Sequence, residues 1–231
     1  MIILNSIFTL ALIYLVVVLV IFFSQRKLMY HPYENNYLEE NQLNHNIEKV
    51  YIQSDFKILG WHHFKNKKFK TLLFFHGNAG NLQNRIYKLN DISKLDINYL
   101  IIAYRGFSGN EGEPNEKGLY KDSESAKKWL NDYGVSDKDI ILYGESLGTA
   151  VAIDLASKHK FAGIILESPF TSMVKLSKIY YPYLPVKILL KDRYESINKI
   201  NNIDFPKMVM HGDKDKIVPF SMGKEIFENL S

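Results

Sequence analysis

The sequence predicts an α/β fold: a mostly parallel sheet with helices on both faces, preceded by one membrane-spanning helix. Three observations carry that reading. Short apolar runs alternate with helix-length segments from residue 71 onward, the pattern of a sheet covered on both sides. A G-x-S-x-G pentapeptide at 144–148 falls between one such run and one such segment. No charged residue occurs from Ile2 to Phe23.

The N-terminal run is mostly Ile, Leu, Val, Phe and Ala, with Asn5, Ser6 and Thr9 as mild interruptions. A helix needs about 20 such residues to cross the hydrocarbon core. A cleaved signal peptide would want a basic leader and small residues at the cut site. Nothing basic precedes this run, and Phe22-Phe23-Ser24-Gln25 is a poor cut site. An uncleaved anchor over residues 1–23 is therefore expected. Arg26 and Lys27 follow it directly, so the positive-inside rule places the rest of the chain in the cytoplasm.

Residues 24–47 are polar and mixed, and read as a linker. The domain then runs from 48 to 231. Lys49–Ser54 alternates as a strand, with Val50 and Ile52 on one face, and Ile58–Phe64 is its hairpin partner. Thr71–Phe75, Tyr99–Ala103, Ile140–Tyr143, Gly163–Leu166 and Met208–Met210 are short apolar runs, as expected of central strands buried on both faces. Helices are expected at about 81–95, 116–133, 147–158 and 219–230. Residues 168–200 break the alternation with Pro169, Pro182, Pro185 and a cluster of tyrosines, and predict an inserted cap.

The composition excludes several function classes. The chain has no cysteine, hence no disulfide, thiolate metal site or cysteine nucleophile. Its net charge of +4 comes from 29 basic and 25 acidic residues. The basic ones are scattered, as at Lys65, Lys67, Lys68 and Lys70, which describes a solvated surface and no nucleic-acid partner. No Walker loop or dinucleotide fingerprint is present, and no cofactor or metal is expected.

At 140–150 the chain reads Ile-Ile-Leu-Tyr-Gly-Glu-Ser-Leu-Gly-Thr-Ala. A serine there sits on a sharp strand-to-helix turn that lifts its hydroxyl above the sheet edge. The helix N-terminus behind it favours negative charge. Ser146 is the candidate nucleophile. Upstream, a buried strand runs into His76-Gly77-Asn78-Ala79-Gly80-Asn81, a glycine-rich turn that frees backbone N–H groups. The backbone N–H groups of Asn78 and Leu147 are the candidate oxyanion donors. His76 is expected to pack within its own loop. Downstream, Met210-His211-Gly212-Asp213-Lys214-Asp215 places carboxylates past the end of a strand, where α/β sheets keep their chemistry. Asp213 and Asp215 compete there for the role of orienting a histidine.

With these residues in place, the chain resembles the single-pass, membrane-anchored α/β-hydrolase-domain proteins, relatives of the enzymes that remove palmitate from protein cysteines. The matching stretches are Gln25–Pro32, His76–Asn81, Ala103–Pro114, Gly144–Gly148, Glu167–Met173 and His211–Pro219. The resemblance implies the α/β-hydrolase fold, Ser146 as nucleophile and Asp215, not Asp213, as triad acid. It implies hydrolysis of an ester or thioester on a small acyl-ester or lipid-like substrate, or on an acylated protein. In that family the triad histidine follows the acid after a further strand. Here the chain ends at Ser231 with no histidine after His211. The last strand, its histidine and the last helix are expected to be absent, and His31, His45, His62, His63, His76, His159 and His211 do not occupy that place. The readings left open are a truncated or frameshifted enzyme, an inactive membrane-anchored binding protein, and a histidine acting from an unexpected position.

Overall fold

In the computed structural model, residues 1–32 and 43–229 are described. Seven strands form the main sheet: β2 (Glu48–Gln53), β3 (Lys57–His63), β4 (Thr71–Phe75), β6 (Asn98–Ile102), β7 (Ile140–Glu145), β8 (Gly163–Glu167) and β9 (Lys207–Met210). Their order is β2-β3-β6-β4-β7-β8-β9. The hairpin β2–β3 and the β3–β6 pair are antiparallel, and every later pair is parallel. Expected and observed strands coincide to within about two residues.

β4 lies at the centre with all five residues buried, which is why its sequence is apolar without alternation. β2, on an edge, keeps the period of two: Val50 and Ile52 turn inward while Tyr51 and Gln53 face water. Met208–Met210 departs from expectation. β9 is the opposite edge of the sheet, and Met208 is 53% exposed. A run of apolar residues shows that a segment favours a sheet, but not how many neighbours it has there.

The crossovers carry the helices. The 81–95 segment is a short 3-10 turn at Leu82–Arg85 followed by α2 (Ile86–Ile92). Asn81 and Asn84 cap it reciprocally, at 2.9 and 3.2 Å. α3 (Glu116–Asp132) is capped by the Asn115 side chain, which accepts from the Gly118 N–H at 2.9 Å. α4 (Leu147–Ala156) is buried along its whole length, and its sequence is accordingly apolar on every face but for Thr149 and Asp154. Asp154 is held there by Lys158 and Lys199, each at 2.6 Å. The expected cap is present between β8 and β9 as α5 (Met173–Tyr180), α6 (Val186–Leu189) and α7 (Ile197–Ile200). α8 (Phe220–Glu228) follows β9 and ends two residues before the expected bound, which lies outside the described residues.

In the N-terminal segment the helix continues past the expected end of the anchor. Helix α1 runs from Ile2 to Met29 without a break at residue 23, and is long and apolar enough to cross a membrane. His31–Pro32 is a two-residue strand, β1, parallel to β5 (Ala79–Gly80). So the part of the expected linker that precedes residue 33 is built into the domain, and 33–42 lies outside the described residues. The helix is docked. Arg26 pairs with Asp192 at 2.9 Å, the Tyr30 and Tyr194 hydroxyls are 2.7 Å apart, and Gln25 donates to the Leu189 carbonyl at 3.1 Å.

Candidate active site

The strand–turn–helix at Ser146 has the backbone that its sequence calls for. Ser146 adopts φ 51°, ψ −112°, a conformation that costs a non-glycine residue about 1–3 kcal/mol and persists only where its surroundings enforce it. Two glycines make the turn fit. A Cβ on Gly144 would lie 2.5 Å from the Thr149 Cα, and one on Gly148 would lie 2.0 Å from the Phe75 carbonyl oxygen. The Ser146 N–H donates to the Glu167 carbonyl at 2.8 Å, and its own carbonyl accepts from the Thr149 N–H and hydroxyl at 2.9 and 2.6 Å. Among the described residues, the Ser146 hydroxyl makes no hydrogen bond.

Glu145, beside the serine, is tied down from the other side. Arg85 and Lys88 reach its carboxylate at 2.6 and 2.9 Å, and Lys88 also reaches Glu167 at 2.5 Å. Burial would raise the Glu145 carboxyl, but the two cations outweigh it and hold it below the ordinary carboxylate value. Charge pairing at the ends of β7 and β8 thus fixes the two residues that flank and support the turn.

Asn78 and Leu147 line the same cavity as Ser146, a space of about 250 Å³. Among the described residues, neither backbone N–H has an acceptor, so both are free to face a ligand. The Asn78 loop is held by two bonds to the end of α1: its side chain donates to the Met29 carbonyl at 2.7 Å, and its carbonyl accepts from the His31 N–H at 2.8 Å. Sequence reasoning missed this tie. The signal was present in the Gln25–Pro32 stretch, but a polar segment after an apolar helix carries no mark of a partner fifty residues on.

The two aspartates separate clearly. Asp213 is exposed. Asp215 Oδ1 accepts from the Ile217 and Val218 N–H groups at 2.8 and 2.9 Å, and Oδ2 lies 3.6 Å from His211 Nε2. Burial works to raise the Asp215 carboxyl. The two backbone N–H groups, the Ser168 hydroxyl and His211 prevail and hold it below the ordinary value. A carboxylate depressed on folding contributes stability that is complete above its unfolded pKa and lost as pH falls through its folded one. In Asp215→Asn, denaturant unfolding is therefore expected to lose less stability than the parent chain does as pH falls below about 4.

The described histidines do not reach the serine through a hydrogen bond. His76 is buried against Tyr104 and Phe107, with Nδ1 2.7 Å from the Gly77 carbonyl. Burial first, and Arg85 second, pull its pKa down to about 3, so it is neutral and packs as expected. His211 donates from Nε2 to the Val218 carbonyl at 2.8 Å and packs on Gly223, where a Cβ would be 2.1 Å from Nδ1. Arg105, in the Tyr104–Gly106 loop, is structural: it pairs with buried Asp122 at 2.7 Å. Among the described residues, no cluster of His, Asp and Glu could hold a metal ion.

The fold and this serine turn define an α/β-hydrolase. The family model of the prolyl oligopeptidase family matches residues 89–231, and the chain belongs to that family. An uncharacterized protein of Mycobacterium tuberculosis is 34% identical over 217 residues, covering 91% of this chain and 76% of that one. The human alpha/beta hydrolase domain-containing protein 17B is 36% identical over 162 residues, 68% of this chain but 54% of the human protein; the chain thus spans about half the length of that relative. Among solved structures, an esterase of Pyrococcus furiosus superposes with a TM-score of 0.68 at 21% identity, covering 87% of this chain and 83% of the esterase. An α/β-hydrolase of Vibrio vulnificus gives 0.67 at 22%, over 81% and 70% of the two chains.

Proposed function

We propose that the chain is a membrane-anchored serine hydrolase of ester or thioester bonds. The carrying observation is Ser146 at φ 51°, its residue lining an apolar cavity together with Leu147 and Asn78. In this reading the Ser146 oxygen attacks an acyl carbonyl and its proton passes to a base. The N–H groups of Leu147 and Asn78 hold the oxyanion, the alcohol or thiol departs, and water releases the acyl group. Asp215, its Oδ1 held by two backbone N–H groups, is the acid that orients the base. Residues 2–23 of α1 cross the membrane, and Arg26 and Lys27 hold the domain on the cytoplasmic side. The substrate is a small acyl ester, a lipid-like ester or an acylated protein.

A second reading has its own support: no imidazole is hydrogen-bonded to Ser146 among the described residues, and a serine without a base is a weak nucleophile. The chain would then be a membrane-anchored binding protein on a hydrolase scaffold. A fluorophosphonate probe separates the two. Hydrolysis requires an adduct on Ser146, found by peptide mapping and lost in Ser146→Ala. A folded chain that takes no adduct there is the binding protein.

A further inference from the structure

The cap and α1 lie side by side over a long stretch. The Tyr14 hydroxyl donates to the Tyr183 carbonyl at 2.9 Å, and the Lys191 N–H donates to Gln25 at 2.8 Å. Between those points Val18 and Ile21 of α1 pack on Val174, Leu184 and Val186 of the cap. Charge gathers where the cap meets the end of α1. Arg26 pairs with Asp192, the Lys191 ammonium sits 4.2 Å from the Phe22 ring, and Arg193 donates to the Lys187 carbonyl at 2.7 Å. That level is the polar edge of a membrane crossed by α1.

Tyr14 lies about 13 Å along the helix axis from Phe23, toward the bilayer centre. Since the hydrocarbon core is about 30 Å thick, the bond to Tyr183 brings the tip of the cap close to the midplane. The side chains suit that depth. From Ile179 to Leu190 the single charged residue is Lys187, whose carbonyl lies at the polar edge in its bond from Arg193. Tyr183 is 65% and Ile188 83% exposed, a poor arrangement in water and a good one in lipid. The cavity above Ser146 is walled on this side by Leu28, Met29, Tyr181 and Leu189. Leu28 of α1 is 60% and Tyr181 of the cap 47% exposed, as is Ile217 beyond β9 at 73%, so one opening lies between α1 and the cap, at headgroup level.

We propose that the cap is immersed in the leaflet beside α1, and that the cavity over Ser146 is filled laterally from that leaflet by the acyl chain of a lipid ester. The acyl half rests on Ser146 as the acyl-transfer centre; the immersion does not.

Two measurements on the whole chain in phosphatidylcholine vesicles test it. In the first, Tyr183→Trp is compared with Tyr87→Trp, an exposed position on α2, using lipids spin-labelled along the acyl chain. The emission added at position 183 is expected to be quenched roughly threefold more strongly than that added at 87. Equal quenching would overturn the immersion. In the second, Ser146→Ala is irradiated with a phosphatidylcholine carrying a diazirine near its chain end. Adducts are expected on Leu147 and Phe170, each 1% exposed and thus out of reach of bulk lipid. Adding Leu28→Trp should lower them about tenfold without changing labelling of Ile2–Val17. Adducts absent from the two cavity residues, or indifferent to Leu28→Trp, would overturn lateral entry. Failure of the nucleophile itself would look different: lipid adducts in the cavity, but no fluorophosphonate on Ser146 of the parent chain.

Discussion

Gly148→Ala is expected to destabilise the domain by about 3 kcal/mol or more, at or beyond the top of the range for overpacking. The added methyl would meet the Phe75 carbonyl oxygen at 2.0 Å, the Phe75 carbonyl carbon at 2.6 Å and the His76 carbonyl oxygen at 2.8 Å. All three are backbone atoms of a central strand and its outgoing loop, so no side chain can rotate away. Helix α4 must move off β4 instead. It is buried from end to end, and a shift would open a gap on its far side as well. Urea unfolding of the detergent-solubilised chain measures the loss. The same shift carries Ser146 and the Leu147 N–H, so any fluorophosphonate labelling should fall with it. A variant as stable as its parent would mean that α4 and β4 are not packed as described.

Asp122→Ala is expected to cost about 4 kcal/mol, within the range for removing one partner of a buried ion pair. Asp122 is fully buried and Arg105 nearly so. The carboxylate accepts from the Arg105 side chain at 2.7 and 3.1 Å, from the Arg105 backbone N–H at 2.9 Å and from the Ser54 hydroxyl at 2.8 Å. Alanine leaves all of these donors unanswered. Asp55, 3.1 Å from Arg105 but largely solvent-facing, recovers part of the charge balance, which keeps the cost from the upper end. Asp122→Asn keeps an acceptor in place and should lose clearly less. Equal losses for the two variants would show that charge, not hydrogen bonding, holds the loop that joins β6 to α3.

The parts of the chain that were legible from sequence are those fixed by local pattern. Thr71–Phe75 has no polar face, so it had to be a covered strand, and it is. The spacing of Gly144, Ser146 and Gly148 admits few backbones, and the observed turn is one of them. What was not legible depends on partners distant in sequence. Gln25 and Arg26 read as the start of a linker because the groups that hold them, Leu189, Lys191 and Asp192, come more than 160 residues later. Met208 and Met210 read as core because an edge strand and a central one share the same apolar alphabet. Asp213 and Asp215 were equivalent as turn residues. The distinction lies in the backbone N–H groups of Ile217 and Val218, which no composition reveals.

The bonds from Asn78 to Met29 and His31 make the end of α1 the anchorage of the glycine-rich loop. A helix longer than the local hydrocarbon thickness tilts to hide its excess length. Because the loop hangs from that helix on one side and from β4 on the other, tilting would turn the Asn78 N–H relative to Ser146, which is fixed by the sheet. In the proposed membrane-crossing arrangement, bilayer thickness would thereby act as a mechanical input to the site, with α1 as its lever.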